Sequence, residues 1–393
     1  MLHSLYKHCA LWLLGLLLLA APLHGFGDEV QTSSPVAMWL PSAEPSGNSV
    51  VDKIWFFPYL VGTPEAPAPV VILLHGLGAD WSVLRELERF ARTLNHHGIS
   101  AVVMMQPYHF YRFPPHDSPY RHFTPLHVED AVQAFSQSAS DVRTLVTWLT
   151  QQPNVNPHRI GVIGISLGAI VAHLAMGQDA RLTAGVAILG GGDVADLFQQ
   201  SGLYRFLHPH LPSLTQARRD QLARIDPLTY ASQNLPRHVL MIEAARDQVI
   251  PPQGAEELWN ALDRPPIRWM DTNHFGPQLL LGSIWRISEA YLIDVWNGSD
   301  TNGRRLPPVF APTIKFGVLV GLDAPVTPAL QWQALSFAER RDHMSLLHTD
   351  LGWAGNGPFL GVAVTLHPFM DVGLGHRFLS HDIRPYLSFH IVF

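Results

Sequence analysis

Six short, nearly continuous apolar runs punctuate the chain between residues 69 and 271, each closed by turn residues. They read "PVVILLHG" (69–76), "ISAVVMMQP" (99–107), "RIGVIGIS" (159–166), "TAGVAILGG" (183–191), "HVLMIEAARD" (238–247) and "PIRWMD" (266–271). Unbroken apolar strands, rather than alternating ones, are covered on both faces. Helical patterns separate them at 80–94, 129–149, 167–176, 253–262 and 279–296. Strands alternating with helices give an α/β fold, with a mostly parallel, doubly wound sheet. With 47% hydrophobic and 15% charged residues, a large core is easily filled. A net charge of −6 without a basic block excludes nucleic acid as a partner. Two stretches, 108–127 and 191–236, have neither period. Both follow strand carboxyl ends, where open α/β sheets hold ligands, and both read as cap segments shaping a substrate pocket.

From about residue 306 the style changes. In "TIKFGVLVGL" the apolar residues are Ile314, Phe316, Val318, Val320 and Leu322, and in "FLGVAVTL" they are Leu360, Val362, Val364 and Leu366. The last strand alternates Ile383, Leu387, Phe389, Ile391 and Phe393. Turn residues intervene, so 306–393 reads as an antiparallel module of about four to six strands.

The N-terminus carries Lys7, then an apolar stretch from about Cys9 to Leu23, then small residues before Asp28. That order is expected of a secretory signal peptide over 1–27, shorter than the roughly 20 residues of a membrane-spanning helix. A lead-in segment, 28–49, would follow. Cys9 is the single cysteine and would leave with the signal, so the exported chain offers no thiol nucleophile or disulfide. The 22 histidines are scattered, with neither HExxH nor paired Cys/His spacing, so neither metal nor cofactor is expected.

The chemistry concentrates at "GISLG". A Gly-x-Ser-x-Gly between a buried strand and a helix is a tight turn that pushes the serine oxygen out at the sheet edge. Gly164 and Gly168 are the small neighbours that let strand and helix approach. Ser166 needs a base, and the base needs an orienting acid. Asp247 closes "HVLMIEAARD" at a strand end, ahead of Glu243 within the strand and Asp271 on the next one. His274 lies in the loop after that last strand. The oxyanion of an acyl-transfer step needs backbone donors, expected from Leu167 and from Leu77, with Gly78 second. His75 belongs to the scaffold of the "HGLGAD" loop. The spacing His75-x4-Asp80 matches a short acyltransferase pattern only by coincidence, because a helix begins there.

"HGLG", "GISLG", "ARDQVIP" and "NHFG", in this order, make residues 50 to 296 resemble the α/β-hydrolase superfamily, in its dienelactone-hydrolase-like and acyl-peptidase-like branch. The resemblance covers roughly two thirds of the chain. It implies an α/β-hydrolase domain over 50–305 and a Ser166–Asp247–His274 triad acting through an acyl-enzyme. True dienelactone hydrolases use cysteine where this chain has Ser166, which argues against that narrower activity.

The expected function is therefore an exported serine esterase acting on a small ester. Tyr108, Phe110, Tyr111, Phe113, Phe198, Tyr204 and Phe206 are candidates for an apolar pocket wall. Arg112 and Arg121 are either solvated, paired with cap acids, or available to a substrate anion. A peptidase or acyltransferase would use the same triad. A different class, an envelope binding or structural protein, would make the β module the working part. "RPYLSFHIVF" resembles the closing strand of Gram-negative outer-membrane barrels, with Trp332, Trp353, Phe359, Phe369 and Tyr386 as interface aromatics. Roughly 85 residues fall short of the 8 strands of the smallest such barrel, so a membrane role would need shared strands or a barrel remnant; the alternative is a small soluble β-sandwich or sheet packed on the hydrolase. The expected location is periplasmic or outer-membrane-associated, with secretion as the alternative.

Overall fold

The computed structural model describes residues 35–235, 237–299, 301, 313–322, 326–339, 341–355 and 357–392. The segment read as a signal peptide lies outside them. Nine strands form the first sheet: β1 (Met38–Pro41), β2 (Lys53–Tyr59), β3 (Gly62–Thr63), β4 (Ala66–Leu74), β5 (Ser100–Met104), β6 (Val155–Ile165), β7 (Leu182–Ile188), β8 (His238–Ala244) and β9 (Ile267–Met270). The order is β1-β2-β5-β4-β6-β7-β8-β9, with β3 paired to β4. From β5 to β9 every neighbouring pair is parallel, and β1 and β2 add an antiparallel edge.

The continuous apolar runs explain the parallel part. Along β6, Val162 faces one core and Ile163 the other. The first core takes in the helices Val128–Leu149 and Leu167–Gln178; the second takes in Trp81–His96 and Leu281–Trp296. Asp80 caps the helix Trp81–His96 through the amides of Ser82 and Val83, at 2.8 and 3.2 Å. That is the physical role of the acid in the His75-x4-Asp80 spacing.

β1 lies in the lead-in and pairs with β2 over four residues, too short a run for periodicity to reveal. One expectation is corrected. Arg112 is neither solvated nor held by a cap acid. It is fully buried, donating to Asp141 Oδ2 (2.7 Å) on the helix Val128–Leu149 and to the carbonyls of Val51 (2.8 Å) and Met105 (3.0 Å). It pins the first cap segment in place, and its burial keeps the guanidinium from a substrate anion. Arg121 is exposed, 3.9 Å from Asp130.

Six further strands close into an antiparallel barrel: β10 (Thr313–Val320), β11 (Thr327–Glu339), β12 (Ser345–Ala354), β13 (Gly357–His367), β14 (Met370–Arg377) and β15 (Ile383–Val392). β10 pairs with β15, so the ring is complete within one chain and needs no strand from another subunit. Small inward residues permit so narrow a ring. A Cβ on Gly361 would stand 2.5 Å from the Tyr386 hydroxyl, and one on Gly373 2.7 Å from its ring. Phe359 and Tyr386 consequently lie inside the barrel, edge to face at 5.8 Å, and are not interface aromatics.

Candidate active site

Ser166 sits between β6 and the helix Leu167–Gln178 with φ 54° and ψ −115°, a conformation rarely open to a non-glycine residue. The flanking glycines make that turn possible. A Cβ on Gly164 would fall 2.0 Å from the Gly168 carbonyl oxygen, and one on Gly168 2.6 Å from that of Leu74. Ser166 N–H donates to Ile188 O at 2.8 Å, and its carbonyl accepts from Ala169 and Ile170, so the strain is held from both sides.

Asp247 and His274 come from the ends of β8 and β9. Asp247 follows β8. Its Oδ1 accepts from the amides of Val249 (2.8 Å) and Ile250 (2.9 Å), which leaves Oδ2 for His274 Nδ1 at 2.6 Å. His274 follows β9, and its Nε2 is 3.0 Å from Ser166 Oγ. A carboxylate only accepts, so Nδ1 carries the ring proton and Nε2 is left to accept from the serine hydroxyl. Asp247 and His274 are buried, which keeps water from competing for these bonds.

The rival acids are otherwise engaged. Glu243 is buried on β8, where desolvation, aided by the neighbouring Asp247 charge, holds its carboxyl well above the usual range. Its Oε1 accepts from Gly190 N–H at 3.3 Å. Asp271 is an anion, but it faces Arg246 Nε at 2.6 Å and the barrel. Burial alone would raise its pKa; the Arg246 charge and hydrogen bonds from Arg246, Gln333 and Ser345 outweigh that and bring it down to about 2.

The other wall is the loop after β4. Gly76 packs on Ser166, its Cβ direction meeting Ser166 Cβ at 3.4 Å. Gly78 N–H donates to His109 Nε2 at 3.0 Å, so of the two expected loop donors Gly78 is already engaged. Leu167 opens its helix, where N–H groups have no partner one turn earlier. His75 lies in the scaffold, its Nδ1 toward Gly76 O (2.9 Å) and its Nε2 accepting from Gln106 N (3.0 Å). Burial lowers the pKa of His75 well below the imidazole range and that of His109 to about 4, so both remain neutral supports.

His109 and Tyr120 are site residues that periodicity does not reveal, since both lie in the aperiodic stretch 108–127. Tyr120 covers the loop closely enough that a Cβ on Gly78 would meet its hydroxyl at 2.4 Å. Of the aromatics expected to wall a pocket, Phe198 and Tyr204 are core residues packed edge to face at 5.4 Å. Tyr108 is buried and stacks on His122 at 3.6 Å. Tyr111, Phe113 and Phe206 remain exposed. Phe110 packs edge to face against His75 (5.1 Å) and Trp81 (5.1 Å).

Among the described residues one cluster has metal-ligand chemistry, His348, Asp350 and Asp371 inside the barrel. The Lys315 ammonium already occupies its centre, 2.7 Å from His348, 2.9 Å from Asp350 and 2.8 Å from Asp371. The cation there is a side chain.

The loops that carry Asp247 and His274 also touch the barrel. Arg246, beside Asp247, donates to Pro368 O at 2.6 Å, and Asn273, beside His274, donates to Val392 O at 2.8 Å. Asp271 accepts from Gln333 (2.9 Å) and from Ser345 N (2.8 Å), and its carbonyl accepts from the Thr313 hydroxyl.

Known proteins agree with this arrangement at the level of fold. The prolyl oligopeptidase family matches residues 133–274, a span that takes in Ser166, Asp247 and His274. The family described as alpha/beta hydrolase domain containing 18 matches residues 25–203. No curated protein matches the chain. Among solved structures, a puromycin-hydrolyzing peptidase of Mycobacterium tuberculosis superposes with a TM-score of 0.51 at 17% identity, over 69% of this chain and 42% of that one. A 2,6-dihydroxy-pseudo-oxynicotine hydrolase gives 0.49 at 16% identity, over 69% of this chain and 71% of that one. The acylaminoacyl peptidase of Pyrococcus horikoshii gives 0.48 at 14% identity, over 70% and 42%. Strand order, elbow and matches together define an α/β-hydrolase fold, followed by a six-stranded barrel that neither family match reaches.

Proposed function

We propose that this chain, an α/β hydrolase by fold, is an exported serine hydrolase that cleaves carboxylic esters through Ser166, His274 and Asp247. The observation that carries the reading is the unbroken relay from Ser166 Oγ to His274 Nε2 (3.0 Å) and from His274 Nδ1 to Asp247 Oδ2 (2.6 Å). His274 Nε2 takes the hydroxyl proton as Ser166 Oγ attacks the ester carbonyl, and Asp247 steadies the imidazolium. The carbonyl oxygen gathers the negative charge, opposite the amides of Leu167 and Leu77. Collapse expels the alcohol, which takes the proton from His274. Water then attacks the acyl-enzyme, with His274 again as base, and the released acid restores Ser166. Exposed Tyr111, Phe113 and Tyr120 on the cap favour an apolar acyl or aromatic substrate. The order of residues 1–27 supports export.

The prolyl oligopeptidase match over 133–274 favours a second reading, a peptidase with the same relay. A p-nitrophenyl ester series run beside a series of aminoacyl p-nitroanilides separates the two. Ester turnover that is lost in Ser166→Ala is the expected result. Anilide turnover above ester turnover would assign the site to peptides, and no Ser166-dependent turnover of either would remove the enzyme reading.

A further inference from the structure

The barrel reverses the usual distribution of side chains. Along β15, Tyr386, Ser388, His390 and Val392 point inward and are buried, while Leu387, Phe389 and Ile391 point outward and are exposed. The other strands follow the same sense. Their outward faces carry Phe316, Leu330, Leu351, Val362 and Leu374, all exposed. The interior holds Lys315 in ionic contact with Asp350 and Asp371, all fully buried, with Tyr386 donating to Asp350 at 3.1 Å and Ser388 to Gln331 at 2.9 Å. A water-soluble barrel of this size would place its apolar residues inside. Here they form a belt around all six strands, far beyond the single patch of a few hundred Å² that soluble monomers tolerate.

Three further features define what surrounds the belt. The acidic and basic residues of the six strands, among those described, are either inside (Lys315, Asp350, Asp371) or within two residues of a strand end (Glu339, Arg377, Arg384). Exposed aromatics mark both ends, Phe369 in the β13–β14 turn at one and Trp353 and Phe378 at the other. Among the described residues, the rest of the chain meets the barrel at one end. Thr313 starts β10, Val392 ends β15, Ser345 starts β12 and Pro368 follows β13, so the polar contacts to the loops of Asp247 and His274 gather at a single rim and no other described residue covers the wall. A protein partner covers one side of a cylinder. A belt that is apolar all round, bounded by charge and aromatics at both rims, fits a lipid bilayer.

We propose that β10–β15 insert as a monomeric barrel into a phospholipid bilayer, with the hydrolase seated on one rim at the membrane surface. The height agrees. A ten-residue strand rises about 33 Å, or about 23 Å along the axis at a tilt of about 45°, close to the apolar band of about 25 Å in known membrane barrels. The buried ions are then the polar lumen of such a barrel. The Asp247 and His274 loops, docked on the same rim, stand at the lipid–water boundary. The proposal does not rest on Ser166 being a nucleophile.

The test uses the full chain, purified in detergent and mixed with vesicles of phosphatidylethanolamine and phosphatidylglycerol. Flotation with the vesicles that survives both high salt and alkaline carbonate is the expected result. Release by high salt would mean headgroup attraction alone and would overturn the proposal. So would a monodisperse chain in detergent-free buffer that does not float, or a detergent-free oligomer, in which second copies cover the belt. A probe that leaves the lumen intact provides the second measurement. In a Cys9→Ser background, an environment-sensitive fluorophore is attached at Leu374→Cys on the belt or at Ser380→Cys in a turn. Lipids with brominated acyl chains should quench the first at least about threefold more than the second, as depth in the hydrocarbon requires. Equal quenching at both positions would contradict insertion.

Discussion

The two halves of this molecule obey one rule with opposite signs. In the sheet of β1–β9, side chains such as Val162 and Ile163 are buried between helices, and the polar working groups stand at strand ends. In the barrel, Val362 and Leu374 face outward and the charges of Lys315, Asp350 and Asp371 are sealed within. Burial of apolar area drives both arrangements; what differs is the surrounding medium each half was built for. The sheet brings its own cover in helices. Among the described residues the barrel carries none, and it meets the sheet at one rim, through polar bonds and the stacking of Trp269 on His343.

The largest effect should come from the sheet side. Ser166→Ala should lower ester turnover by about 10⁴- to 10⁶-fold, by analogy with loss of other triad nucleophiles, with unchanged far-ultraviolet circular dichroism and unchanged vesicle flotation. A fall in flotation would show that the two halves are not separable. On the barrel side, Lys315→Met would strand two buried carboxylates. About 3–5 kcal/mol of barrel stability should be lost in chemical denaturation, while fluorophosphonate labelling of Ser166 persists. Third, Val362→Lys places a charge on the belt. In vesicles it should cost about 2–4 kcal/mol; an effect near zero would mean that the belt faces water.

How much of this was legible follows from the kind of signal each half carries. The elbow was readable because Gly164, Ser166 and Gly168 stand at fixed offsets between an apolar run and a helix, and sterics leave little else for that pattern to do. The acid and base positions were readable as strand ends. His109, Tyr120 and the burial of Arg112 were not, because the segment 108–127 has no period and its geometry depends on what lies beneath it. Along β15 the alternation was plain, but a period of two does not say which face is inside. Counting strands suggested that closure needed more of them. The ring closes because Gly361 and Gly373 make room for Tyr386, a three-dimensional fit that no local pattern encodes.

The smallest effect concerns the junction. Asp271 is held near 2 when folded, against an ordinary value of 3.8. A lowered pKa contributes stability that is complete above about pH 4 and is lost as pH falls through about 2. Asp271→Asn should therefore cost about 1–3 kcal/mol at neutral pH and flatten the acid dependence below pH 4, as followed by thermal unfolding. An unchanged acid profile would remove Asp271 from the junction's energetics.

Activation of Ser166 by His274 is the central step. Mass mapping of the full chain after treatment with a fluorophosphonate reads this without choosing a substrate. The predicted result is a single adduct on Ser166 that disappears in His274→Ala. No adduct on Ser166, or one that persists in His274→Ala, would contradict the account.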